Sequence, residues 1–86
     1  MKIFAYQTFQ RCYQDLPGAV QKKTDKQLRL LAENPRHPSL HLKKIQGTKV
    51  IWEARVDLQY RLSFEIQGDT IYLRVVGNHD EVLKNP

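Results

Sequence analysis

Arg55, Arg61, Arg74, His79 and Glu53 have the residue types and spacing to act on an anion. Arg55 and Arg61 flank the short segment Asp57-Leu58-Gln59, and Glu53 lies two residues before Arg55, so an extended chain would put both on one face. A guanidinium presents forked donors that match phosphate, and an imidazole can give or take a proton near neutrality. Lys43 and Lys44 add cations upstream. Such a cluster could hold a phosphate-bearing anion, with His79 beside it as a candidate proton donor or acceptor.

These side chains can meet only if the elements that carry them pair in one register. Phe9, Cys12, Tyr13 and Leu16 form one apolar helical stripe after a short strand over Met1–Ala5, with Thr8 as N-cap. Leu16-Pro17-Gly18 ends that helix. A second helix is predicted from Pro17 to Glu33, with Val20, Leu28 and Leu31 inward and Lys22, Lys23, Lys26 and Arg29 mostly outward, stopped by Asn34–Pro38. The two make an antiparallel hairpin. Beyond Pro38 the period becomes two. Leu40 and Leu42 alternate with His41 and Lys43, and the runs around Trp52, Leu62 and Leu73 do the same. Broken at Gln46-Gly47-Thr48, Asp57-Leu58-Gln59 and Gly68-Asp69, they describe an antiparallel meander. Its apolar face, with Trp52 in it, needs a cover, and the helix hairpin is the available one.

A loop at Asp57–Gln59 sets Arg55 opposite Arg61 and Glu53 opposite Ser63. A two-residue turn at Gly68-Asp69, with glycine first as type II′ requires, sets Ser63 opposite Arg74 and Arg61 opposite Val76. His79 then emerges at the end of the last strand, beside the Asp57–Gln59 loop. Opposed like charges destabilise a sheet, so folding alone gives no reason for this arginine cluster. The plain alternative is a solvated face on which the arginines splay, with Glu53 pairing one of them.

Composition bounds the rest. The chain carries a net charge of +5, concentrated in residues 1–61, and is 41% hydrophobic. That is one small domain, residues 1–86, of ordinary globular composition, its charge that of a plain soluble protein of high pI or of one that meets an acidic or polyanionic partner. No apolar run is long enough for a membrane span, the start is too polar for a secretory leader, and the single Cys12 excludes a disulfide framework. A reducing cytoplasm is the expected setting. His37 and His41 stand four apart, but Pro38 argues for extended chain between them and no third ligand is near, so no metal is expected. Gly18, Gly47, Gly68 and Gly77 are isolated, so no phosphate-cradling loop is present and no cofactor is expected.

The order of these pieces resembles the RelE/ParE superfamily of toxin–antitoxin toxins. The segments that carry the likeness are residues 30–38 (Leu-Leu-Ala-Glu-Asn-Pro-Arg-His-Pro), Leu42-Lys43-Lys44-Ile45 followed by Gly47, Tyr60-Arg61-Leu62, and Arg74-Val75-Val76-Gly77-Asn78-His79-Asp80. The resemblance implies an α+β fold, with an N-terminal strand and helix hairpin packed on one face of a mainly antiparallel four- to five-stranded sheet. It implies a toxin neutralised by a cognate antitoxin in a heteromeric complex. In the RelE-type branch the activity is metal-independent mRNA cleavage, often at the ribosome, which represses translation. In the ParE-type branch it is inhibition of DNA gyrase without chemistry. On the first branch Arg61 maps onto the residue holding the scissile phosphate, and His79 onto the residue just after the last strand that serves as the acid or as a phosphate ligand. For such cleavage Glu53 is the candidate base, with Lys43 or Lys44 as the fallback, and Arg55, Arg74, Lys43 and Lys44 are the candidate RNA contacts. Ribosome-dependent members carry lysines where this chain has Glu53 and Arg55, and no tyrosine follows Tyr72.

Overall fold

The computed structural model describes all 86 residues. Strand β1, Lys2–Ala5, runs into helix α1, Gln7–Gln14, and helix α2, Gly18–Glu33. Three further strands follow the two-residue β2 at Lys43–Lys44: β3, Ile51–Arg55, β4, Tyr60–Gln67, and β5, Thr70–Asn78. Helix α3, His79–Lys84, closes the chain. The strands form one sheet in the order β1-β5-β4-β3-β2, antiparallel except that β1 lies parallel to β5. This is the α+β architecture expected, with the helix hairpin on one face.

The apolar alternation of β3, β4 and β5 builds that face. Ala54, Leu62, Phe64, Ile71, Leu73 and Val76 are buried against Phe9 of α1 and Val20 and Leu31 of α2. The helices are tied to each other where the Tyr13 hydroxyl donates to Asp25 and Gln21 donates to the Tyr13 carbonyl. Gln27, buried on α2, donates to the Ser39 and Arg55 carbonyls and so fastens the helix to the segments that carry the site. No helix is long and apolar enough to cross a membrane.

Four details depart from the sequence expectations. Helix α1 begins at Gln7, after Tyr6, and Thr8 lies inside its first turn rather than capping it. Leu40 and Leu42 do not extend a strand: Pro38–Leu40 is a single 3-10 turn, and His41 leaves it in the left-handed region at φ 46°. Proline at the first position of that turn and the burial of Leu40 favour the compact form over an extended one. Trp52 packs against the core from the apolar face as expected but is only half-buried there, its ring lying under the Lys44 ammonium at 5.4 Å.

The fourth departure alters the site. The β3–β4 register is as expected, with Arg55 opposite Arg61 and Glu53 opposite Ser63. Along β4–β5, however, Ser63 faces Val75, Phe64 faces Leu73 and Arg61 faces Gly77, so Arg74 is the unpaired residue of a bulge. The turn at Gly68, φ 61°, is the two-residue one expected, but turn arithmetic presumes strict one-to-one pairing and a bulge breaks it. The face opposite the helix hairpin is also less open than alternation suggests. Helix α3 and the C-terminal residues fold back over it, burying Val82 and Ser63, with the Ser63 hydroxyl donating to the Pro86 carbonyl.

Candidate functional site

A cavity of about 290 Å³ opens at the edge of α3, lined by His41, Leu42, Lys43, Glu53, Arg55, Arg61 and His79. Strands β3 and β4 hold its floor. Arg61 is 9% exposed, and its Nη1 donates to the carbonyls of Asp57 and of Tyr60, the latter at 3.0 Å. Burial, followed by the Arg55 charge opposite, lowers the Arg61 pKa from its ordinary value, while Glu53 and Asp57 pull the other way. A cation held in that state gains from an incoming anion, because the anion supplies the compensation that water cannot.

The loop between the arginines is itself built to hold Arg61 still. The Asp57 carboxylate accepts the Gln59 and Tyr60 backbone N–H groups, both at 2.8 Å, and pairs with Lys23 of α2 at 3.2 Å. Burial pushes its pKa up, but the two backbone hydrogen bonds and Lys23 outweigh this and leave the carboxyl below its usual value. The same loop anchors the opposite wall, since the His79 backbone N–H donates to the Gln59 carbonyl at 2.8 Å. Asn78 caps α3 through its side chain, so His79 starts the helix at the rim, half-exposed, with Nδ1 3.5 Å from the Asp80 carboxylate.

Glu53 lies across from Lys43, their charged groups 3.6 Å apart. Its side chain is 3% exposed, and one carboxylate oxygen is buried with no hydrogen-bond partner. Arg55 keeps its Nε buried and unpartnered, while its Nη1 lies 3.4 Å from His41 Nε2.

The cavity thus gathers Arg61, His79, Glu53, Arg55 and Lys43. Two of the expected residues lie elsewhere. Arg74, displaced by the bulge, pairs with Glu65 and donates to the Pro86 carbonyl at 2.9 Å, beside a separate cleft with Tyr6 and Lys84. Lys44, the neighbour of Lys43 on a strand, projects to the other side, over Trp52. The residue missed is His41, which the sequence offers only as half of a pair with His37. That pairing dissolves in the structure, where the His37 ring accepts the Ser39 backbone N–H and caps the 3-10 turn. No group of three or more histidine, cysteine or acidic side chains is placed to hold a metal ion.

No protein-family model and no curated protein matches the sequence. Solved structures do match in shape. A chain of the RelB–RelE antitoxin–toxin complex from Methanococcus jannaschii superposes with a TM-score of 0.74 at 24% identity, over 96% of this chain and 98% of that one. The YoeB/ParE toxin from Agrobacterium tumefaciens gives 0.77 at 15% identity, over 92% and 99%. YafQ from E. coli gives 0.75 at 17% identity, over 94% and 96%. The likeness spans nearly the whole of each chain and establishes the fold.

Proposed function

We propose that this RelE/ParE-type fold is the toxin of a toxin–antitoxin pair and acts as a metal-independent endoribonuclease on mRNA. The observation that carries the reading is the buried, backbone-tethered Arg61 facing Arg55 in a cavity whose rim is formed by His79. Two opposed guanidiniums with a cationic neighbour, Lys43, form a receptor for a phosphodiester. In RNA the adjacent 2′-hydroxyl can attack that phosphorus. Arg61, with Arg55 and Lys43, then stabilises the charge on the phosphoryl oxygens, and His79 protonates the departing 5′-oxygen. Glu53, the sequence's candidate base, is almost fully buried beneath Lys43, a position that suits a counter-charge to Lys43 better than an acceptor meeting solvent-borne substrate.

Comparable folds solved as toxin–antitoxin complexes support a cognate antitoxin as partner. An acidic, partly apolar segment that orders on binding would complement the basic surface. Incubation of the purified chain with a defined RNA oligonucleotide in the presence of a chelator tests the activity. Cleavage leaving 2′,3′-cyclic phosphate and 5′-hydroxyl ends is expected, with none on the 2′-deoxy analogue. An inert protein whose expression arrests DNA supercoiling instead would place it with the gyrase inhibitors.

A further inference from the structure

One group in the cavity has no part in the scheme above. His41 reaches it from the 3-10 turn, which is fixed on both sides: Leu40 is wholly buried, and Gln27 holds the Ser39 carbonyl. The His41 backbone itself sits at φ 46° and ψ 50°, a conformation that costs a residue with a Cβ and persists only where the surroundings impose it. The ring is thereby set against Arg55, with Nε2 3.4 Å from Nη1. A guanidinium can only donate, so Nε2 is the acceptor in this contact, the role a base plays. The separation is that of a weak hydrogen bond, one that a phosphate oxygen would displace.

Resting on the nuclease reading, we infer that His41 is the general base of the cleavage. When the scissile phosphate takes the Arg55 guanidinium, Nε2 is released to accept the 2′-hydroxyl proton. The O–H bond breaks as the O2′–P bond forms, and the P–O5′ bond breaks with its electron pair passing to O5′, which takes a proton from His79. A 2′,3′-cyclic phosphate and a 5′-hydroxyl result. His41 is left protonated and His79 neutral, and exchange with water resets both. Two imidazoles of opposite protonation, one on the turn before β2 and one at the start of α3, then flank the same phosphate. The charged groups facing His41 in the cavity are Glu53 and Arg55 of β3, Lys43 of β2, Arg61 of β4 and His79 of α3.

The left-handed backbone makes His41→Gly the informative variant, since glycine adopts φ 46° without cost and the fold is kept. The parent, His41→Gly and His41→Gln are compared on one RNA oligonucleotide, with melting temperature as the check on folding and a 2′-deoxy analogue as the binding probe. Both variants should lose kcat by at least about 100-fold with binding of the analogue retained. Both should also lose the rise of kcat with pH that a deprotonated base produces, and free imidazole should restore part of the rate to His41→Gly. Parental kcat in His41→Gln would reduce the residue to a support for Arg55 and overturn the assignment, as would a His41→Gly enzyme indifferent to imidazole. A parent that leaves RNA uncut removes the nuclease reading itself, and this inference with it.

Discussion

Arg55 stands directly across from Arg61 in the β3–β4 ladder, two cations paired where a sheet favours opposite charges. Neither has a carboxylate within ion-pairing distance, since Glu53 is engaged by Lys43 and Asp57 by Lys23. The pair is held by the backbone: Gln27 grips the Arg55 carbonyl, and the carbonyls of Asp57 and Tyr60 grip the Arg61 guanidinium. A sheet that carries such a pair is strained toward binding an anion between the two.

Arg55→Met relieves that repulsion without touching the backbone bond to Gln27. Its melting temperature should rise, by an amount corresponding to roughly 0.2–1 kcal/mol for an opposed like-charge pair, while RNA cleavage falls. Thermal denaturation and a cleavage assay on the same preparation check the opposite signs.

Arg61→Ala removes the buried cation and should lower cleavage at least about 100-fold, the loss of a charge-stabilising donor being worth about 3 kcal/mol in the transition state. Single-turnover rates at saturating RNA measure it.

His79→Ala is expected to lower the cleavage rate by about 10²–10⁴-fold. The side chain is half-exposed and its only ionic neighbour, Asp80, is open to solvent, so the denaturation midpoint should stay where it is. A large fall in stability would mean that the residue serves α3 rather than the reaction.

The Asp57 carboxyl holds its proton less tightly when folded than when unfolded, despite the upward push of burial, because the Gln59 and Tyr60 N–H groups and Lys23 favour the charged form. The unfolded chain therefore binds more protons at low pH. The stabilisation is present above the ordinary carboxylate range and is lost as the pH falls through the folded value, from about pH 5 downward. Urea midpoints between neutral and acid pH should fall for the parent, and Asp57→Asn should be less stable at neutrality with a flatter acid limb.

Gln27→Met conserves volume but leaves the Ser39 and Arg55 carbonyls without their donor. The cost should be about 1–3 kcal/mol in stability, read from chemical denaturation. Cleavage should fall as well, because the same side chain holds both the turn bearing His41 and the strand bearing Arg55.

The residues alone determined the local geometry. The shift from a helical to a two-residue period at Pro38 set out the helix hairpin and the meander, and the Asp57–Gln59 loop set Arg55 against Arg61, because a short loop leaves little freedom in register. What the tertiary structure alone decided is which side chains share the cavity. A bulge between Ser63 and Phe64 sends Arg74 to Glu65, α3 roofs a face that alternation describes as open, and a left-handed residue after a 3-10 turn swings His41 in against Arg55. Each of these depends on packing between segments far apart in the chain, where burying Leu40 and Val82 outweighs the regular pairing that sequence periodicity presumes.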